Sequence, residues 1–368
     1  MSDYIQFLAH ELNSDLPTDV QKEISHKITS LHTKHKVNQR RVLLIGGSGY
    51  IGTTVTTELL KAGYAVRNLD CHVYGNGLAA LTSVTNPNYE FFYGDFCEPK
   101  TLNSALEGIT DVVFLAGLVG DPITKKFPAE SKAINDKGVK DAMDFLNGRG
   151  LAQVLFISTC SNYGLIKEGE LADEEFELNP LSSYASDKVT GEKHLLSQKG
   201  NTDYDGTVLR FATAFGMSSR MRFDLTVNEF TRDLYLGKEL VVFDAETWRP
   251  YCHVKDFAKL IRRVFELDSA RSSFEVFNAG GESNNATKQM IVDKIVERIP
   301  NANVTYQGKG TDPRNYRVNF QKVQKQLLFQ PSQSLDNGIN EIIQALQQGY
   351  FQEEQTDFGQ LGNFKVHY

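Results

Sequence analysis

The chain has 368 residues, of which 40% are hydrophobic and 23% are charged, as in an ordinary globular protein. This composition excludes a largely disordered chain, a collagen and a coiled-coil rod, and the length predicts two domains or one large α/β unit with additions. The 39 Lys and Arg residues against 46 Asp and Glu give a net charge of −7. We therefore expect no global attraction to nucleic acid or to an anionic membrane.

The four cysteines, Cys71, Cys97, Cys160 and Cys252, lie far apart and form no CxxC pair. This usage is typical of reduced thiols in a cytosolic protein. No apolar run approaches the roughly 18 residues of a membrane span, and the N-terminus lacks the basic and apolar regions of a secretory signal. We therefore expect a cytoplasmic protein with no membrane partner, and we predict no metal site.

The first 39 residues differ in pattern from the rest of the chain. Apolar side chains recur at helical spacing between Tyr4 and Leu12 and again between Val20 and Leu31. The pattern predicts an N-terminal helical extension over residues 1–39. This extension either packs on the main body or a second subunit, or has a regulatory or partner-binding role.

Strands and helices alternate from Arg41 onwards. Short apolar runs, typical of strands buried on both faces, alternate with helical patterns at intervals that require crossover connections. This order predicts parallel strands in a Rossmann-like, doubly wound α/β sheet. Strands are predicted at 42–45, 64–69, 89–93, 112–115, 154–157 and 207–210, and helices at 51–59, 131–147 and 181–198.

After residue 216 the alternation becomes irregular, which predicts a smaller mixed α/β lobe. We assign residues 40–216 to the Rossmann domain, with 251–279 returning to it, residues 217–250 and 280–347 to the smaller lobe, and 348–368 to a C-terminal tail. Helices are predicted over 223–236, 256–267, 286–298 and 335–347, with short strands near 240–243 and 274–277.

A glycine-rich turn, Gly46-Gly47-Ser48-Gly49-Tyr50-Ile51-Gly52, follows the first strand and opens a helix. Gly46 allows the tight turn, Gly49 lets the backbone approach a pyrophosphate, and Gly52 lets the helix pack closely on the sheet. The helix N-terminus offers N–H groups and the positive end of its dipole to phosphates. We therefore predict that Gly46, Gly49, Tyr50, Ile51 and Gly52 bind a dinucleotide.

Three further sets of candidate cofactor-binding residues follow the second, third and fourth predicted strands. Asp70 ends the second strand, where a carboxylate accepts hydrogen bonds from ribose hydroxyls and repels a 2′-phosphate, which favours NAD over NADP. Asp95 either accepts from the adenine amino group, with Phe96 beside the ring, or caps a turn. The small residues of Leu115-Ala116-Gly117 end the fourth strand at the ligand-binding edge and allow the dinucleotide to pass closely.

Tyr184 and Lys188 lie four residues apart on a predicted helix and therefore share one face. A nearby ammonium lowers the pKa of a phenol from roughly 10, which makes Tyr184 a candidate general acid/base for an alcohol or carbonyl. The segment from Ile157 to Gly164 supplies hydroxyls at the end of the fifth strand. Such a hydroxyl is able to bond the reacting oxygen and share its proton with Tyr184.

Together these motifs resemble the extended short-chain dehydrogenase/reductases of the NAD-dependent epimerase/dehydratase family, which act on nucleotide sugars. The resemblance covers residues 41–347 and includes Arg249-Pro250-Tyr251-Cys252-His253-Val254. It implies that Thr159 is the catalytic Ser/Thr, that Tyr184 is the acid/base, and that Lys188 binds the nicotinamide ribose and keeps Tyr184 ionised. It also implies an NAD cofactor, a nucleotide-diphosphate sugar substrate and a homodimer that pairs through the helices carrying Tyr184 and Asn135.

The shared step of that family is hydride transfer from a sugar carbon, usually C4, to NAD. Relatives that dehydrate or decarboxylate carry acidic residues just after the catalytic Ser/Thr, where this chain has Cys160 and Ser161. The departure favours a C4 epimerase, and leaves open a 4-dehydrogenase or ketoreductase with net redox change, or a non-catalytic NAD-binding module. Cys160 is either an acid/base beside the ketone or a small packing residue.

The resemblance also implies the substrate side of the site. Arg249 and Arg314 would clamp the diphosphate, since guanidinium groups bind it bidentately. The segment Met217–Asn228 resembles a branch with 4-dehydrogenases and epimerases of GDP-linked sugars and heptoses, while the base and the sugar stay open. Arg220 and Arg222 either face the substrate or pair with carboxylates, and His253 is a structural hydrogen-bonding residue. The predicted substrate contacts are Val119, Cys160, Ser161, Asn162, Arg222, Asn228, Arg249 and Arg314.

Overall fold

The computed structural model describes residues 40–351 apart from 76, 168, 309 and 311–313, together with 361–363 and 366. The predicted extension at residues 1–39 and most of the predicted C-terminal tail lie outside the described residues. The strands are β1 (Arg41–Ile45), β2 (Ala65–Asp70), β3 (Tyr89–Tyr93), β4 (Asp111–Phe114), β5 (Gln153–Thr159), β6 (Asp205–Phe211), β7 (Thr213–Phe215), β8 (Leu240–Phe243), β9 (Trp248–His253), β10 (Glu275–Ala279), β11 (Asn285–Thr287) and β12 (Val304–Gln307).

The helices are numbered from the first one that the structure describes. They are α1 (Tyr50–Lys61), α2 (Gly77–Ala80), α3 (Pro99–Ala105), α4 (Asp121–Lys126), α5 (Pro128–Ser131), α6 (Val139–Leu146), α7 (Ser183–Ser197), α8 (Thr226–Tyr235), α9 (Val254–Glu266), α10 (Lys288–Val296), α11 (Gln321–Leu327) and α12 (Leu335–Gln347). None of them has the length and apolar character of a membrane-spanning segment.

Seven strands form one parallel sheet in the order β10-β6-β5-β4-β1-β2-β3. The strand order reverses at β1, because the chain first adds β2 and β3 on one side and then β4, β5 and β6 on the other. In doubly wound sheets a ligand crevice lies outside the carboxyl ends of the strands at such a reversal. The predicted Rossmann-like, doubly wound sheet is confirmed, and its crevice lies at the ends of β1 and β4.

The sheet is buried on both faces, as the apolar runs predict. Val42 and Leu44 of β1 pack in a core with α1 and α9, whereas Leu43 and Ile45 pack in a core with α6. Successive side chains of a strand alternate between faces, so a strand covered on both sides must be apolar throughout.

The helix predicted over 131–147 is interrupted. A π-helical turn, Lys132–Gly138, connects α5 to α6. Turns of this kind occur frequently at functional sites. This turn carries Asn135, whose amide bonds both the N–H (2.8 Å) and the carbonyl oxygen (2.9 Å) of Leu118 in the loop after β4. The interruption therefore fixes the loop that enters the crevice.

A smaller mixed α/β unit accompanies the central sheet, as predicted. Its sheets have the orders β11-β9-β7 and β12-β8, and α8, α10 and α12 pack around the core beside them. The predicted helices at 223–236, 256–267, 286–298 and 335–347 are found as α8, α9, α10 and α12, with ends shifted by at most three residues. The sequence analysis does not predict β7, β9, β11 and β12. Of these, β7 and β11 have only three residues, which is too short to show a periodicity.

The chain returns to the central sheet after β9. Helix α9 packs against α1, and β10 pairs with β6. Strand β9 itself pairs with β7 and β11 of the smaller sheet. The predicted domain boundaries stay predictions.

Candidate active site

A cavity of about 1120 Å³ lies at the carboxyl edge of the central sheet and extends toward the smaller unit. All of the predicted catalytic and cofactor-binding residues line it, and their roles stay predictions. They are Gly46, Gly49, Tyr50, Ile51, Gly52, Asp70, Asp95, Phe96, Leu115, Ala116, Gly117, Thr159, Tyr184 and Lys188.

The glycine turn approaches the end of β4 closely. Gly46 has φ +85°, and a Cβ built on it would lie 2.7 Å from the backbone of Ala116. A side chain there would be strained and would also clash, so the turn requires glycine. A Cβ built on Gly52 would lie 2.5 Å from the carbonyl oxygen of Gly47. Gly52 therefore lets the helix pack closely on the glycine turn.

The carboxylate of Asp70 connects the glycine turn to the end of β2. Its Oδ2 accepts from the N–H of Ser48 (2.9 Å) and its Oδ1 from the N–H of His72 (2.8 Å). Burial raises the pKa of Asp70, and the two backbone hydrogen bonds oppose that shift. The carboxylate is thus held in one orientation at the cavity wall, and its ribose contact stays a prediction.

Asp95 caps a turn in this structure, since its Oδ1 accepts from the N–H of Cys97 (2.9 Å). Phe96 is buried and packs edge-on against Phe114. Both residues still line the cavity. The capping alternative is therefore present, and the predicted adenine contact stays a prediction.

The candidate catalytic residues lie on one wall. Thr159 ends β5, and Tyr184 and Lys188 occupy the first two turns of α7. The Lys188 Nζ donates to the carbonyl oxygen of Ile157 (2.7 Å) and lies 6.0 Å from the centre of the Tyr184 ring. Burial lowers the pKa of Lys188 to about 8. A phenol and an ammonium therefore share one wall with a strand-end hydroxyl, as the helical spacing predicts.

A buried polar network supports this wall from behind. Glu192 forms an ion pair with Arg210 (2.8 Å) and accepts from the Asn162 Nδ2 (2.7 Å) and the Ser158 hydroxyl. Arg210 also donates to the Tyr163 hydroxyl (3.0 Å). Because Asn162 is fully buried in this network, the structure corrects the prediction that it contacts substrate.

Cys160 likewise lies behind the wall. It is 1% exposed, and its Sγ donates to the carbonyl oxygen of Arg210 (3.1 Å). Burial raises the pKa of the Cys160 thiol, which disfavours the thiolate. A short 3₁₀ turn after β5 places Cys160 and Asn162 toward the core and Ser161 toward the cavity. Cys160 is thus a packing residue, and its predicted substrate contact is corrected.

Asn228 is the third corrected substrate contact. It is fully buried, accepts from the N–H of Gly216 (2.9 Å), and donates to the carbonyl oxygen of Arg222 (2.9 Å) and the hydroxyl of Tyr50 (3.2 Å). The side chain therefore positions the loop that carries Arg222 and does not face the cavity.

The other predicted substrate contacts, Val119, Ser161, Arg222, Arg249 and Arg314, line the cavity. Arg222 pairs bidentately with Asp224 (2.9 and 2.5 Å), so the carboxylate alternative is the one found for its guanidinium. Arg249 donates to the carbonyl oxygen of Arg314 and lies over the Tyr316 ring. The neighbouring guanidinium groups of Arg249 and Arg314 make their part of the cavity suitable for an anionic ligand.

Arg220 also lines the cavity, where its guanidinium lies 5.5 Å from the centre of the Tyr74 ring. Burial lowers the pKa of Arg220 to about 10, and the neighbouring Arg222 acts in the same direction. His253 is structural, as predicted: it is buried, its Nδ1 accepts from the N–H of Lys255 (3.1 Å), and its Nε2 lies 2.6 Å from Glu341.

Several cavity residues have no counterpart in the sequence predictions: Tyr74, Asp224, Glu229, Lys288 and Asn363. Tyr74, Lys288 and Asn363 come from segments far apart in the sequence, and no spacing connects them. Burial raises the pKa of Glu229 to about 7. Asp224 and Glu229 lie close to Asn228 in the sequence. The region around Asn228 therefore contributes to the cavity, although Asn228 itself does not line it.

A model of the NAD dependent epimerase/dehydratase family matches residues 42–280, more than half of the chain. The chain is 26% identical over 323 residues to the "Uncharacterized UDP-glucose epimerase YtcB" of Bacillus subtilis (strain 168), covering 84% of this chain and 99% of that protein. It is 25% identical over 307 residues to a dTDP-glucose 4,6-dehydratase of Streptomyces griseus, and the match covers 81% of this chain and 91% of that protein.

A solved structure of UDP-glucose 4-epimerase with UDP-glucose, from Thermotoga maritima, is similar with a TM-score of 0.75. It is 23% identical, and the match covers 84% of this chain and 99% of that one. At this identity the likeness shows the fold alone.

Proposed function

Because the chain belongs to the NAD dependent epimerase/dehydratase family, and is therefore an NAD-dependent enzyme, we propose that it epimerises a nucleotide sugar at C4. One observation carries the proposal: Thr159, Tyr184 and Lys188 share a cavity with the glycine turn, and no carboxylate follows Thr159. The names of similar proteins, a UDP-glucose epimerase among them, also support it.

The residues at the crevice fit NAD. Gly46 and Gly117 leave room where a Cβ would meet Ala116 or Asn135 at 2.7 Å, so backbone without side chains forms this part of the cavity wall. The first turn of α1 would hold the pyrophosphate, and Asp70 the adenosine ribose. When bound, NAD would supply a reversible hydride acceptor for the sugar carbon.

Proton transfer would depend on Thr159, Tyr184 and Lys188. Tyr184 as phenolate accepts the proton of the sugar hydroxyl, while Thr159 donates a hydrogen bond to the same oxygen. The Lys188 ammonium stabilises the phenolate, and the low-dielectric surroundings strengthen that attraction. Returning the proton from Tyr184 to the oxygen completes an isomerisation without net oxidation.

The residues after Thr159 support epimerisation over elimination. Cys160 lies behind the wall with a raised pKa, and Ser161 is a weak acid. Neither is suited to protonate a leaving hydroxyl or to remove a proton beside the ketone. The residues after Thr159 therefore favour re-reduction of a keto intermediate over its dehydration.

The test is an incubation with NAD and UDP-glucose, GDP-mannose, CDP-glucose or dTDP-glucose in deuterated water. C4 epimerisation predicts a product of unchanged mass with no deuterium on carbon and a steady nicotinamide absorbance. Deuterium at C3 or C5 would show that epimerisation occurs at that carbon and not at C4. Loss of water would make the enzyme a dehydratase. A lasting absorbance change would make it a 4-dehydrogenase or ketoreductase. If the wild-type protein neither binds nor converts any of the four nucleotide sugars, the result would favour a non-catalytic NAD-binding module.

The predicted homodimer, pairing through α7 and the helix that carries Asn135, is part of the same proposal. Light scattering during gel filtration tests it, with a mass near 41.3 kDa contradicting the dimer.

A further inference from the structure

A short C-terminal segment, Leu361–Asn363, lies against the cavity wall. The carbonyl oxygen of Leu361 accepts from the N–H of Phe223 (2.7 Å), and that of Gly362 accepts from the Arg220 Nη2 (3.0 Å). Leu361 also packs against the cluster that contains Phe223. The segment is thus bonded to the loop that carries Arg222 and Asp224, far away in the sequence.

Asn363 connects two walls of the cavity. Its N–H donates to Asp224 Oδ2 (3.4 Å), and its Nδ2 donates to the carbonyl oxygen of Val119 (3.3 Å) in the loop after β4. The residue lines the cavity and is 7% exposed. It therefore lies between the loop beside the dinucleotide crevice and the loop of the smaller unit.

The remaining polar atom of Asn363 is unsatisfied. Its Oδ1 is buried and has no hydrogen-bond partner among the described residues. The orientation of the amide follows from its surroundings, because a flipped amide would place Oδ1 against the Val119 carbonyl oxygen. Buried amide oxygens nearly always accept a hydrogen bond, so Oδ1 is an acceptor without a donor among the described residues, on a residue that lines the cavity.

The chemistry of that donor is restricted. An amide oxygen is an acceptor only, so it does not bind a phosphate oxygen. Asn363 bonds Asp224, whose partner Arg222 lines the same cavity as Tyr184. Hydroxyls are the donors that a sugar presents there.

We propose that Asn363 Oδ1 accepts a hydrogen bond from a hydroxyl of the substrate sugar, which makes the C-terminal segment a specificity-determining part of the active site. The inference rests on the proposed function, since it requires a nucleotide sugar in the cavity.

The test compares wild type with Asn363→Leu, which keeps the size but removes both polar atoms. Calorimetry measures binding of UDP-glucose, GDP-mannose, CDP-glucose and dTDP-glucose, of the free diphosphates UDP, GDP, CDP and dTDP, and of NAD. Asn340→Leu, the same change at an exposed position of α12, is the matched control. We expect Asn363→Leu to weaken the sugar nucleotide about tenfold, with the free diphosphate, NAD and the control unchanged.

Deoxy analogues of the sugar nucleotide that binds wild type separate a direct contact from a general distortion. A direct contact predicts one analogue, lacking one hydroxyl, whose affinity is the same for wild type and Asn363→Leu. Equal loss for every analogue, loss of diphosphate or NAD affinity, or no loss at all would overturn the inference while the proposed function stands. Wild type that binds none of the four sugar nucleotides would remove the proposed function, and the inference with it.

Discussion

Lys188 and Glu192, one helical turn apart on α7, fasten two successive residues of β5: Lys188 donates to the carbonyl oxygen of Ile157, and Glu192 accepts from the hydroxyl of Ser158. Thr159 follows these two residues at the end of the strand. The strand-end hydroxyl and the helix that carries Tyr184 are therefore held in one register by buried side chains of the same helix face.

Glu192→Gln should destabilise the protein strongly. Removing the carboxylate leaves the buried guanidinium of Arg210 without its counter-charge, and loss of one member of a buried pair costs about 3–5 kcal/mol. Urea unfolding at pH 7 measures the effect. Asp141→Asn, which breaks the exposed pair between Asp141 of α6 and Lys137 of the preceding π-helical turn, is the control and should leave the midpoint unchanged. Equal midpoints for Glu192→Gln and the control would contradict the account.

The free energy of unfolding should depend on pH through Lys188, and the sign of this dependence follows from the shift of its pKa. Burial lowers its pKa from the usual 10.5 to about 8. Between these values the unfolded chain holds a proton that the folded protein has released, so stability rises with pH. Relative to Lys188→Met, wild type should gain about 3 kcal/mol in unfolding free energy from pH 8 to pH 10.5, with no change in the difference below pH 8. A difference that stays flat or falls across this window would show that the ammonium is not desolvated.

Tyr184→Phe should separate binding from chemistry. The variant keeps the ring but lacks the hydroxyl that accepts and returns the proton, so turnover should fall by about 10²–10⁴-fold. NAD affinity, measured by calorimetry, should stay within about threefold, because the ring remains and the predicted dinucleotide contacts of the glycine turn and Asp70 are unchanged. Tyr350→Phe, at an exposed tyrosine beyond α12, is the matched control and should be fully active. Full turnover by Tyr184→Phe would reject the proposed mechanism.

The sequence predicts the central sheet and the catalytic wall because both depend on local patterns. A strand covered on two faces must be apolar throughout, as at Val42–Ile45, and two side chains four residues apart on a helix must share a face, as Tyr184 and Lys188 do. The glycine turn is also local, since Gly46 needs its positive φ whatever surrounds it.

The parts that the sequence does not predict depend on contacts between distant segments. Asn228 is polar and lies near Arg220 and Arg222 in the sequence. Its side-chain amide, however, forms hydrogen bonds with Gly216, Arg222 and Tyr50. Asn363 reaches the cavity only because Phe223 and Arg220 bind the backbone before it. Neither placement leaves a periodic signal, so polarity and spacing alone do not separate a buried structural asparagine from one that lines the cavity.

Gly46→Ala and Gly200→Ala form a matched pair. Both glycines have positive φ (+85° and +80°), but a Cβ on Gly200 meets nothing within 4 Å, whereas one on Gly46 lies 2.7 Å from the backbone of Ala116. Gly200→Ala should therefore cost only the left-handed strain of about 1 kcal/mol and keep full NAD affinity. Gly46→Ala should cost more and should also displace Ala116, which lines the crevice, so NAD affinity should fall at least about tenfold. Urea unfolding and NAD calorimetry on both variants measure the two effects, and equal NAD affinity would mean that the turn does not hold the dinucleotide.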